Sequence, residues 1–157
     1  MTPEIDTYSR FIREKITQIH AALAGLSEDD LNRAPNLPAA NSLYVVATHT
    51  FGNMRAWTLG IVCGHDLRRD RPAEFASRGK YDQLGVAARE LSREIDEALQ
   101  KLDPKTLDDH FVPAQDLWGE GEPEEIERRD GLAKVIEHAG THLGHIQLTV
   151  ELLRAGR

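Results

Sequence analysis

The sequence has a single cysteine, Cys63, among its 157 residues. One thiol cannot form a disulfide within the chain, and it excludes zinc sites built from several cysteines. Because so low a cysteine content is typical of a reducing compartment, we expect a cytoplasmic protein. The chain also has no apolar run near the ~20 residues of a membrane-spanning helix. We therefore expect no membrane partner.

Positive charge is scarce as well. The 19 Lys and Arg residues face 26 Asp and Glu residues, so the formal net charge is −7. A nucleic-acid-binding protein needs a basic surface to neutralise phosphates, so we expect no nucleic-acid partner. The hydrophobic share of 40% is typical of a folded globular chain. The length predicts one domain over residues 1–157.

Four segments carry apolar residues at helical spacing, and none carries the alternation typical of a strand. The second segment is predicted to begin at an N-cap, Asn41 or Ser42, and to end at about Cys63 before Gly64. The fourth begins after Pro123 and has its strongest helical pattern at 132–153. The segments are residues 5–26, 42–63, 82–102 and 124–153.

Two connections between these segments, residues 64–80 and 103–123, exceed the about two to eight residues usual in helix bundles. Each is long enough to carry the chain back along a bundle, so successive helices need not be antiparallel. We predict an all-α protein, a four-helix bundle with long crossover connections. The first connection contains Arg68, Arg69 and Arg71, which fit either an anion-binding group or a solvated loop.

The histidines carry the strongest chemical signal. His138 and His142 are four residues apart in the fourth helix, so both side chains lie on one face, and His145 extends the row. His49 lies near the edge of the inner face of the second helix. If these two helices pack together, His49 can join the pair. Three neutral imidazoles with an open fourth position form a catalytic zinc site, and nickel, cobalt or ferrous iron accept the same ligands.

The same residues fit a second interpretation. Half-buried histidines that each hydrogen-bond to a carbonyl would show this spacing without any metal. The zinc-protease motif H-E-x-x-H is absent because residue 139 is alanine. Spacing alone leaves the metal site and the structural role both open.

The complete pattern resembles the DinB/YfiT-like superfamily of metal-dependent enzymes. The matching features are His49 with Trp57 two turns later, the late H-x-x-x-H, and the segment THLGHI at residues 141–146. Members commonly have His-Arg-Gly-Gln-Ile in that segment, where this chain has Leu143 and His145. A branch with a His-x-Gly-His version matches better. The resemblance extends over nearly the whole chain.

The resemblance implies an up-down-down-up bundle and a divalent metal held by His49, His138 and His142, with water completing the coordination. Zinc and nickel are the first expectations for the metal, followed by iron, cobalt and manganese. Some relatives transfer mycothiol or bacillithiol. The implied function is therefore an enzyme that activates a water or a low-molecular-weight thiol, as a thiol S-transferase or a hydrolase does.

Three further residues are predicted to line the pocket or to support the metal ligands: His145, Asn53 and Trp57. No residue is assigned a catalytic role. The alternative function is a non-catalytic bundle of the stress-response type that binds a metal or a small ligand. We expect a small-molecule substrate and a homodimer.

Overall fold

The structure is a computed structural model, and it describes residues 1–156. Its helices are α1 (Pro3–Ala22), α2 (Glu28–Asn32), α3 (Leu43–Arg55), α4 (Arg71–Phe75), α5 (Tyr81–Lys101), α6 (Gln115–Trp118) and α7 (Arg128–Ala155). α3 continues as a π-helical segment, Ala56–Val62, and a 3₁₀ turn follows α5 at Pro104–Asp108. The four long helices overlap the four predicted segments, but α7 begins at Arg128 rather than directly after Pro123.

Local sequence explains where the helices begin. At α1, Thr2 accepts a hydrogen bond from the backbone N–H of Ile5, and Pro3 occupies the first turn, where its missing N–H is not needed. At α3, Ser42 is the N-cap and its side chain accepts from the N–H of Val45. Of the two N-cap candidates predicted, Asn41 and Ser42, the N-cap is therefore Ser42. The helices remain in place because their apolar faces form one buried core.

Contacts between helix ends fix the direction of α1, α5 and α7. Arg129 at the start of α7 pairs with Glu4 at the start of α1, with 2.7 Å between Nη1 and Oε1. Ser9 near the start of α1 donates a hydrogen bond to Asp96 near the end of α5. α1 and α7 are therefore parallel, and α5 runs in the opposite direction.

α3 runs in the same direction as α5. Arg55 at the end of α3 pairs with Glu94 in the second half of α5, with 2.9 Å between Nε and Oε2. The side chain of Arg128, at the start of α7, donates to the carbonyl of Val62 at the end of the π-helical segment. The four long helices thus run up, down, down and up, which confirms the predicted bundle.

Short elements lie in the second long connection and in the first residues of the predicted fourth segment. Two strands, β1 (His110–Phe111) and β2 (Ile126–Glu127), pair antiparallel. Strands of two residues are too short to produce an alternating pattern, so the sequence did not predict them. In the described part of the chain, no helix combines the length and the apolar character needed to cross a membrane.

Candidate metal centre

Three imidazole rings from two antiparallel helices meet on one side of the bundle. His49 comes from α3, and His138 and His142 come from α7. One nitrogen from each ring lies within 4.8 Å of the other two. The ring centroids are 5.5 Å apart for His49 and His138, 5.3 Å for His49 and His142, and 4.5 Å for the α7 pair. The packing of α3 against α7 thus brings together the residues predicted to converge.

His49 is oriented by a carboxylate. Its Nδ1 lies 3.0 Å from Oε2 of Glu74, and both residues are buried. A carboxylate can only accept, so Nδ1 donates to Glu74 and Nε2 is the nitrogen left for another partner. Histidines that ligate metals usually donate their other ring N–H to such a carboxylate. Phe75 adds a packing contact, with its ring centroid 4.7 Å from that of His49.

Glu74 is itself held by Arg69. The Nε atom of Arg69 lies 2.8 Å from Oε1 of Glu74, and Nη2 lies 2.8 Å from Oε2. Burial alone would raise the pKa of Glu74, but hydrogen bonds from His49 and Arg69 lower it below its usual value. The carboxylate is therefore ionised at neutral pH. The Arg69 side chain is 5% exposed, so the pair forms inside the protein.

Gly52 makes room for this arrangement. It lies one turn after His49 in α3, and a Cβ atom at this position would overlap the carboxylate of Glu74. The position of the Glu74 carboxylate against α3 therefore requires a residue without a side chain at position 52.

The two α7 histidines fit a divalent metal. Among the described residues, Nδ1 of His138 and Nδ1 of His142 are buried without a hydrogen-bond partner. Burial, together with neighbouring histidines and, for His138, the charges of Arg69 and Lys134, lowers the pKa of each ring to about 4. Both rings are therefore neutral at pH 7, as metal ligation requires. Buried nitrogens that lack partners are costly, and a bound cation would use such lone pairs.

A cavity of about 310 Å³ opens beside the imidazoles. His49 and His138 form part of its wall, and Asn53 and Trp57 follow His49 along the same helical row. The indole of Trp118, from α6, faces that of Trp57 with 5.2 Å between ring centroids. Asn53 and Trp57 therefore line this cavity, and their role toward a bound ligand stays a prediction.

Comparisons with known proteins agree with this structure. A model of the mycothiol-S-transferase family matches residues 7–155. The chain belongs to this family. The resemblance to the DinB/YfiT-like superfamily is thereby confirmed. A search of curated proteins gives no match.

A solved structure shares the fold. YfiT from Bacillus subtilis matches with a TM-score of 0.73 and 14% sequence identity, over 98% of this chain and 90% of that one. YfiT is described as a probable metal-dependent hydrolase with an unusual four-helix bundle topology. At this identity the likeness shows the bundle alone, and it agrees with the helix directions found above.

His145 lies at the edge of the cluster. Its ring centroid is 5.6 Å from that of His142, and the residue is exposed to solvent. Within residues 1–156 it belongs neither to the three-histidine group nor to the cavity lining. His145 therefore contacts His142, one of the three candidate metal-binding residues, and is itself exposed. A supporting role for His145 therefore stays a prediction, and it would act through His142.

The cysteine of this mycothiol-S-transferase family member is not an activated thiol. Burial raises the pKa of Cys63 to about 11, and the charge of Arg128 offsets this only in part. The side chain is therefore protonated at neutral pH, and a reactive thiolate would have to come from outside the chain.

The neutral histidine pair predicts how acid affects the metal-free protein. The pKa values of His138 and His142 are about 4 in the folded state, against 6.5 for the unperturbed ring. Between these values the unfolded chain binds more protons than the folded one, so we expect stability to fall as the pH drops from 6.5 to 4. Urea unfolding of metal-free protein across this range measures the slope. Replacing both histidines with glutamine should reduce the slope of stability against pH. An unchanged slope would contradict the lowered pKa values of His138 and His142.

Proposed function

We propose that this chain is a divalent-metal-dependent enzyme whose metal is bound by His49, His138 and His142. The observation that carries the proposal is the convergence of three imidazoles, with one oriented by a buried carboxylate and two neutral and unpartnered. Three protein ligands leave a coordination position for a substrate, as in catalytic zinc sites. Zinc and nickel suit the nitrogen donors best, and iron, cobalt and manganese are the alternatives.

We further propose that the nucleophile is a low-molecular-weight thiol. The family name supports a thiol, and Cys63 cannot supply the thiolate. A divalent cation at the site supplies positive charge that lowers the pKa of a nearby thiol or water. In the transfer, the thiol sulfur bonds to an electrophilic carbon, and the leaving group departs with the bonding electrons and the thiol proton. Hydrolysis is the second candidate, because YfiT is described as a hydrolase and water fits the same position.

The residues of the chain would hold and shield the reactants. Glu74 holds the ring of His49 through Nδ1, which would leave Nε2 to bind the metal. Trp57 and Trp118 would cover the cavity wall with apolar surface and reduce access of water to the reacting groups. Asn53 provides a buried amide in the same wall, which can donate to or accept from a bound substrate.

Metal analysis tests the proposal. Protein purified without a polyhistidine tag should bind about one divalent ion per chain, and that ion should raise the melting temperature, because it binds only the folded state. In the cobalt-substituted protein, an added thiol should shift the visible spectrum, since an open coordination position accepts it. Absence of both bound metal and thermal stabilisation would overturn the metal centre. A cobalt spectrum that does not respond to thiols would favour the non-catalytic alternative.

A further inference from the structure

Besides Arg69, which is paired with Glu74, two cationic side chains stand at the cavity beside the imidazoles. Arg71, the first residue of α4, and Lys134, one turn before His138 in α7, both line it. The chain as a whole carries a formal charge of −7. These cations are therefore not part of a generally basic surface. Both cations lie next to the proposed metal centre, where they could bind part of a substrate.

Arg71 holds a carboxylate that can be replaced. Its Nη2 atom lies 2.6 Å from Oε1 of Glu120, and the Glu120 side chain is 81% exposed. The hydrogen bond and the charge of Arg71 lower the pKa of Glu120, so the group is ionised at neutral pH. Exposed ion pairs contribute little to stability, so a competing anion can displace Glu120 at small cost.

The backbone around Glu120 suits such a displacement. Gly119 and Gly121 have φ values of 109° and 77°, a region that favours glycine, and the segment between them belongs to no helix or strand. Moving Glu120 away therefore breaks no helix or ladder hydrogen bond. Arg71 would remain in place, because its guanidinium packs over the ring of Phe75 at 5.1 Å.

The remaining charges favour an anion. Within residues 1–156, Lys134 forms no ion pair. The other carboxylate of this region, Glu74, is engaged by His49 and Arg69. Once Glu120 moves away, Arg71 and Lys134 face the cavity without a counter-charge.

We propose that Arg71 and Lys134 bind a carboxylate of the small substrate, and that Glu120 occupies this position when no substrate is bound. The inference deepens the proposed function, on which it rests, by naming a carboxylate-bearing thiol or acceptor as the substrate class. A carboxylate is favoured over a phosphate because the group that Arg71 already binds, through Oε1 of Glu120, is a carboxylate.

Intrinsic fluorescence can test the inference directly. The two tryptophans of the sequence, Trp57 and Trp118, both line this cavity, so their emission reports on its contents. Metal-free protein would be titrated at constant ionic strength with 3-mercaptopropionate, and separately with the neutral 2-mercaptoethanol. We expect a saturable change with the carboxylate probe only.

Variants assign that change to the two cations. Arg71→Met should weaken binding of 3-mercaptopropionate about tenfold, because a charge-assisted hydrogen bond is lost. Lys134→Met should weaken it a few-fold, and Glu120→Gln should strengthen it because the competing carboxylate loses its charge. Arg55→Met is the matched control, since Arg55 forms a similar ion pair on another face. Its affinity for the probe should equal that of the parent protein.

Several results would overturn the inference. These are equal responses to both thiols, unchanged affinity in Arg71→Met with its melting temperature preserved, or weaker binding in Glu120→Gln. Tighter binding of inorganic phosphate with the same variant pattern would overturn the choice of carboxylate. Because the titration uses metal-free protein, it is independent of the metal centre. If the protein binds metal but does not bind 3-mercaptopropionate, only the carboxylate site is contradicted. If it binds 3-mercaptopropionate but no metal, only the proposed metal chemistry is contradicted.

Discussion

Replacing His142 with alanine should abolish both metal binding and metal-dependent activity while leaving the bundle folded. His142 is one of three imidazoles whose nitrogens lie within 4.8 Å of one another, so its loss removes a proposed ligand. Affinity for the metal should fall by more than the about 10- to 100-fold typical of losing a group that only orients a ligand. Competition with a chromogenic chelator measures the affinity, and elemental analysis gives the stoichiometry.

The stability of the metal-free variant separates this loss from unfolding. His142 is half-buried and its Nδ1 has no partner among the described residues, so truncation should change the free energy of unfolding by only about 1 kcal/mol. His145→Ala is the matched control, because His145 lies in the same helix and is exposed. It should retain one metal per chain. Equal loss of metal in both variants, or full retention in His142→Ala, would contradict the proposed ligand set.

The sequence predicted the bundle, and it predicted that the histidines converge if the second and fourth helices pack together. Apolar residues at helical spacing give each long helix an inner face, and the four-residue step from His138 to His142 places both rings on one side. The position of His49 near the edge of its helix face placed it beside that pair once α3 packed against α7. Helical periodicity accounts for the bundle and for the His138–His142 pair. The convergence with His49 was conditional on the packing of the two helices, and the helix directions came from the family resemblance.

The groups around the imidazoles could not be predicted in the same way. Glu74 contacts His49 across 25 positions of sequence, from a five-residue helix inside a connection that carries no periodic pattern. Arg69 was one of three arginines in that connection for which a solvated loop was the favoured interpretation, and only its burial against Glu74 shows what it contacts. The π-helical segment is a shift in backbone hydrogen bonds, and such a shift leaves no side-chain pattern. Tertiary contacts determine the positions of Glu74 and Arg69.

Replacing Glu74 with glutamine should weaken metal binding although all three imidazoles remain. Glutamine keeps the size of the side chain but loses the negative charge that orients His49 and makes its ring a better donor, so we expect affinity to fall by about 10- to 100-fold. The variant should also be less stable by up to about 3–5 kcal/mol, because the Arg69 guanidinium stays buried without a carboxylate. Chelator competition and urea unfolding measure the two effects separately.

A second substitution distinguishes positioning of His49 from a merely structural contribution of Glu74. In the double variant Arg69→Gln, Glu74→Gln, no buried charge is left unpaired, so stability should recover while metal affinity stays low. Glu94→Gln is the control: it removes a carboxylate from the surface pair with Arg55, and stability should change by less than about 1 kcal/mol with unchanged metal affinity. If metal affinity recovers together with stability in the double variant, Glu74 only holds the fold, and His49 is placed by packing against α7 and Phe75.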